Sequence, residues 1–169
     1  MTSLLDLLSR ARPSPAVELH LQDLSPPPGL DIEPEKEEEE VTGVLPDGFG
    51  FSLDVFGKLV TLDLSGNALT RLPDSFGLGM PKLRVLHLGG WVPARRRFRN
   101  RLTTLPGSFR ALISLQDLTL HDNNLTSLPT DAFGLMPDLH EVRLDRNPGL
   151  VKLPPLPLKL QVLHLEGCA

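Results

Sequence analysis

A single cysteine stands among the 169 residues, so no disulfide can form within the chain, and the cystine-bonded caps expected of extracellular repeat domains are missing. Long apolar runs are missing too. Proline and charge break every leucine-rich stretch before it reaches the roughly 18 residues that cross a bilayer, so no transmembrane segment is expected. The opening residues, MTSLLDLLSRARPSPA, place no Lys or Arg ahead of the leucines, and Asp6 interrupts them. That removes the pattern of a secretory signal; Arg10, Arg12 and the serines leave a mitochondrial presequence as the alternative, with Asp6 against it. These absences predict an intracellular, cytoplasmic chain. A strong charge of one sign is lacking as well: 17 Lys and Arg against 21 Asp and Glu give a net charge of -4, too mild to select a partner. There is no Gly-rich phosphate loop and no nucleophile elbow, so no cofactor and no enzyme activity are expected.

What the chain has is repetition. LVTLDLSGNALTRLP, LRVLHLGG with NRLTTLP, LQDLTLHDNNLTSLP, LHEVRLDRNPGLVKLP and LQVLHLEGCA begin at Leu59, Leu83, Leu115, Leu139 and Leu160, spaced 24, 32, 24 and 21 residues apart. Repeats of this length stack into a solenoid. Alternation such as Leu62, Asp63, Leu64 is the period of a strand with one buried face, and neighbouring strands must share the core that one strand cannot make alone. Pro73, Pro81, Pro106, Pro129, Pro137 and Pro154 interrupt every long helical window. Leu72-Pro73 to Phe76, Leu105-Pro106 to Phe109 and Leu128-Pro129 to Phe133 repeat a second apolar cluster, and Leu45-Pro46 to Phe49 has the same form.

The units LxxLxLxx(N/C) followed by LPxxF resemble the leucine-rich-repeat family over about two thirds of the chain. The resemblance implies an α/β solenoid with a parallel concave sheet and a convex side of loops or short helix. It also implies a structural ladder of Asn67, Asn100, Asn123 and Asn147 just past the strands, with Cys168 in the same slot of the last unit. An Asn offers donors and an acceptor to backbone groups left over where the chain turns inward. Cys168 is therefore expected to be structural.

Domain boundaries follow from where the pattern weakens. Residues 1–15 form a leucine-rich segment, expected as a short helix; its LLDLL at Leu4 to Leu8 also matches receptor-groove and clathrin-type motifs. Residues 16–58 form a degenerate first repeat with a strand from Val17 to Leu21 and an acidic, proline-rich insertion at 25–40, expected to be disordered. The repeat domain spans 59–169, divided into 59–82, 83–114, 115–138, 139–159 and a partial unit 160–169. Within the second of these, residues 91–99 (WVPARRRFR) are an insertion, because removing them restores an unbroken repeat. It is either a functional loop or a splicing remnant.

The insertion carries Arg95, Arg96, Arg97 and Arg99, and leaves the sheet two strands from the acidic one. Either the acidic segment folds over the arginines or both runs stay solvated. Trp91 and Phe98 add stacking surfaces, but one short loop on an acidic chain does not amount to a nucleic-acid site.

Polar residues between the strand leucines are the expected recognition surface: Asp63, Ser65, His87, Asp117, Thr119, His121, Glu141, Arg143, Asp145, His164 and Glu166. A mixed polar face suits a protein partner recognised by hydrogen bonds and charge. Asp63, His87 and Thr119 share one column, with Ser65 and His121 nearby, but an open sheet does not exclude water as hydrolysis requires. A metal held by His87, His121 and Asp63 is not expected for the same reason. The sequence thus predicts an interaction scaffold with a signalling role, or alternatively a truncated substrate-recognition arm of a larger enzyme or immune-type sensor. The unfinished last unit predicts self-association through an uncapped edge.

Overall fold

The computed structural model describes residues 18–20, 45–51, 56–89 and 99–169. Six short parallel strands form one sheet in sequence order: β1 (Glu18–His20), β2 (Thr61–Asp63), β3 (Val85–His87), β4 (Asp117–Thr119), β5 (Glu141–Arg143) and β6 (Val162–His164). The register is unbroken: Leu62, Leu86, Leu118, Val142 and Leu163 are successive partners, and Leu19 precedes them in the same row. In β2 to β5 the central residue is buried and its two neighbours are half-buried. One apolar position per strand is enough because the core is built across strands, each fully buried Leu stabilising the stack by about 1.5–3 kcal/mol.

Two turns return each unit to the sheet. In the first, the proline carbonyl of each Leu-Pro accepts an N–H three residues on: Phe49 from Pro46, Phe76 from Pro73, Phe109 from Pro106 and Ala132 from Pro129, at 2.9–3.0 Å. Proline suits this because its fixed φ preforms a turn and the preceding leucine stays extended. The fourth turn closes on Ala132 rather than a phenylalanine because one more residue separates Pro129 from Phe133 than Pro73 from Phe76; Phe133 then enters the core one position later. In the second turn, Phe56, Met80, Leu112, Met136 and Pro157 offer their carbonyls to Leu59, Leu83, Leu115, Leu139 and Leu160, the residues that open the next strand.

Between sheet and turns lies one continuous core, from Leu45 and Phe49 to Leu150. Phe49, Phe76 and Phe109 form its spine, with successive ring centroids 6.2 Å apart and planes within 13° of parallel. Phe56 packs against Phe49 at 5.0 Å. The side away from the sheet consists of turns and one 3-10 helix, Gly107–Ala111, among the described residues.

Asparagines close the other side. Asn100 Oδ1 accepts the N–H groups of Asn67 and Leu69 at 3.1 and 3.0 Å, while its Nδ2 donates to the carbonyls of Leu64 and Leu88. Asn123 accepts from Leu102 N–H and donates to Leu88 and Leu120; Asn147 accepts from Leu125 N–H and donates to Leu120 and Leu144. Each amide thus joins its own unit to the one before. Cys168 does half of this, its thiol donating to the Leu144 carbonyl at 3.2 Å.

A second ladder, on serine, has no counterpart in the sequence reading. Ser75 and Ser108 donate to the carbonyls of Phe49 and Phe76, and Ser114 to that of Pro81. Each hydroxyl meets a carbonyl of the preceding unit, where no sheet bond reaches.

Several expectations fall outside the described residues: the LLDLL segment, the acidic insertion at 25–40, and Arg95, Arg96 and Arg97. Arg99, the last residue of the basic insertion, is exposed. In the final unit Val162 and Leu165 are 39% and 37% exposed, in contrast to their buried or shielded counterparts in earlier units.

Candidate functional site

The sheet presents its outward residues in columns fixed by the register. Thr61, Val85, Asp117, Glu141 and Val162 form the first, and Asp63, His87, Thr119, Arg143 and His164 the second. A third, Ser65, Gly89, His121, Asp145 and Glu166, follows two residues beyond. All eleven sequence-predicted recognition residues fall on these columns. Thr61, Val85 and Val162 share the first column with Asp117 and Glu141.

Within the second column His87 Nδ1 lies 3.2 Å from Thr119 Oγ1. Asp63 precedes His87 in register, and its Oδ1 accepts the Ser65 N–H at 2.9 Å. An acid, an imidazole and a hydroxyl therefore do line up, but on an open strand face, where water competes for every proton transfer. Among the described residues no group of three or more His, Cys, Asp or Glu is placed to hold a metal ion. A cavity of about 230 Å³ lies elsewhere, at the Leu-Pro turns around Leu45, Arg71, Asp74 and Thr104. None of the column residues lines it.

The third column behaves differently from the other two. Asp145, expected to be an open contact residue, is buried, with its side chain 9% exposed. The cause is local: the strand has ended there, and the backbone turns inward so that Asn147 can reach the Asp145 carbonyl. In four units the residue preceding the ladder position adopts a left-handed backbone, at Gly66, Asp122, Arg146 and Gly167, with φ of 70°, 54°, 57° and 74°. Glycine enters this region freely and other residues at a cost. Asp122 and Arg146 thus place side chains where two other units have Gly66 and Gly167.

His121 rests half-buried over Gly89, whose lack of a side chain leaves room for the ring. Burial lowers its pKa below the usual 6.5; Asp145 and Asp122 pull the other way, and Arg143 and Arg146 reinforce the lowering. Around it, Arg146 lies 3.6 Å from Asp122 and 4.0 Å from Asp145, and Arg143 lies 3.9 Å from Asp145.

Two family models, each described as a leucine-rich repeat, match residues 58–78 and 99–148. Both segments are leucine-rich repeats. The matched segments hold β2 with Asn67, and β4 and β5 with Asn100, Asn123 and Asn147, the parts whose ladder geometry is described above. No curated protein matches the chain. Leucine-rich-repeat domains in general mediate protein–protein interaction, and such families are typically not enzymes. No helix among the described residues is long and apolar enough to cross a membrane.

Asp122 and Arg146 are the residues of this face that the repeat pattern did not flag. The signal was present in the sequence: the residue before each ladder position is Gly66, Arg99, Asp122, Arg146 or Gly167, glycine in two units and a charged residue in three.

Proposed function

We propose that this leucine-rich-repeat protein is an intracellular scaffold that holds a protein partner on the concave face of its sheet, in a signalling role. The observation that supports this reading best is the polar surface at Asp117, Thr119, Glu141 and Arg143. These side chains stand on adjacent strands in fixed register and remain half-exposed, with Leu118 and Val142 between them withdrawn into the core. A rigid sheet holds such groups at set spacings, so ordering them on binding costs little entropy, and charge complementarity then supplies specificity. The single cysteine agrees with a reducing compartment.

Affinity capture from a lysate tests the reading. Wild-type protein should retain a partner that is lost when Asp117, His87 and Arg143 are changed together to Ala. A partner retained undiminished by the triple variant would rule out the concave face.

Exposed Val162 and Leu165 on the last unit, with exposed Leu158 just before it, favour a second reading, self-association through that edge. Sedimentation velocity over a hundredfold concentration range would show a mass increase, and Val162→Lys would abolish it; a constant monomer mass would remove this reading.

A further inference from the structure

Four buried polar side-chain atoms lack a hydrogen-bond partner among the described residues, and all four meet at the exit of β4 and β5. They are His121 Nδ1, Asp122 Oδ2, Arg143 Nε and Asp145 Oδ1. A buried polar group without a partner loses its hydration and gains nothing in return, so native proteins keep few of them. Four in one patch, joined only by ion pairs of 3.6 and 3.9 Å, leave hydrogen-bonding capacity unspent there.

The deepest members are two carboxylates. The side chains of Asp122 and Asp145 are each only 9% exposed; the guanidinium of Arg146, itself 65% exposed, lies near both, and Arg143 Nε lies 3.9 Å from Asp145 Oδ1. Its Nη1 is 3.6 Å from Asp122 Oδ2 and its Nη2 is 4.0 Å from Asp145 Oδ2, both longer than a hydrogen bond. Such an exposed, long ion pair is weakly held. Both Asp122 and Arg146 sit at left-handed positions that Gly66 and Gly167 fill in other units, so the chain accepts backbone strain to put these side chains here.

We propose that the Asp122–Asp145 pair is a receptor for an arginine side chain of the partner protein, and that Arg146 is an internal stand-in which the incoming arginine displaces. An arginine fits better than a lysine because its planar fork can donate to two carboxylates at once. Asp117, Glu141 and Glu166 on the same face add negative charge that draws a cation towards the pair. His121, neutral at physiological pH because burial lowers its pKa, adds no opposing charge. The inference rests on the concave-face reading and names the partner chemistry at one point of that face.

Labelled hexa-arginine peptide, followed by fluorescence anisotropy at physiological ionic strength, provides the test. Arg146→Gly removes the stand-in and installs the residue that other units use at this position, so the fold should persist; thermal unfolding checks that it does. This variant should bind hexa-arginine roughly three- to tenfold more tightly than wild type. Adding Asp122→Asn and Asp145→Asn, which keep the side-chain shape, should abolish the gain, whereas Asp117→Asn in the same background should preserve most of it.

Unchanged or weaker hexa-arginine binding by Arg146→Gly would overturn the proposal. So would tight binding of hexa-glutamate by wild type that Arg146→Gly abolishes, since the arginine would then be the contact itself. The two readings fail separately. Loss of lysate capture in the triple Ala variant, with hexa-arginine indifferent to Arg146→Gly, would leave the concave-face reading standing and remove this one. The converse pattern would place the arginine receptor outside the partner interface.

Discussion

The imidazole of His121 occupies the space that any side chain on Gly89 would need, so a residue two places past β4 depends on the absence of a side chain two places past β3. Gly89→Ala should push the ring outward rather than break the fold, because the ring is the mobile end of a side chain. Nuclear magnetic resonance titration should then show the His121 pKa rising towards 6.5 as the ring regains water. An unmoved titration would show that the ring does not depend on Gly89.

Stability should fall with acidification in a window set by His121. In the unfolded chain this histidine takes up a proton near pH 6.5, and in the folded protein only at lower pH, because burial opposes the charge. The unfolded state therefore binds more protons between those values, and folding loses free energy as pH drops through them. Urea midpoints of wild type should decline below about pH 6.5, and His121→Gln should flatten that decline. Asp131 and Asp138, whose pKa values are lowered by hydrogen bonds from Arg110 and Lys159, act in a separate window: their contribution is present above 3.8 and lost below it. A decline identical in His121→Gln would assign the slope to other groups.

Asn123→Leu should destabilise by about 1–3 kcal/mol for each backbone group left buried and unmet. The Leu102 N–H loses its acceptor, and the Leu88 carbonyl loses one of its two asparagine donors. Cys168→Ala removes only one weak thiol bond at a half-buried site and should cost less than about 1 kcal/mol. Denaturant unfolding of both variants measures the difference, and equal losses would contradict the unequal roles of the two side chains.

Phe76→Ala should cost about 3–5 kcal/mol, as removal of a fully buried ring leaves a cavity that its neighbours fill poorly. The ring lies between Phe49 and Phe109 at 6.2 Å from each and has no exposed surface. Chemical denaturation should show the loss, and a cost below about 1 kcal/mol would mean that the spine repacks.

Much of this architecture was legible because it repeats. The leucine rows, the Leu-Pro turns, the phenylalanine spine and the positions of Asn67, Asn100, Asn123 and Asn147 each recur at a fixed place in the unit. A pattern seen several times at one spacing outweighs weak local propensity. The strand of the degenerate first unit was legible for the same reason, since VELHL carries the alternation that pairs Leu19 with Leu62. The serine bonds were hidden because Ser75 and Ser108 differ from ordinary loop serines only in facing the carbonyls of the preceding unit.

The candidate site divides along the same line. By itself the sequence determined which residues alternate outward on the strands, because the two-residue period of an extended chain leaves no other choice once the leucines are buried. The tertiary structure alone decided which of those residues stay open to a partner. Asp145 is withdrawn and Asp122 joins it because the backbone turns inward past each strand, and the stacking of one unit on the next brings Arg146 over both. That contact joins side chains from two units, so its geometry depends on how the repeats stack and cannot be read from the period of either one.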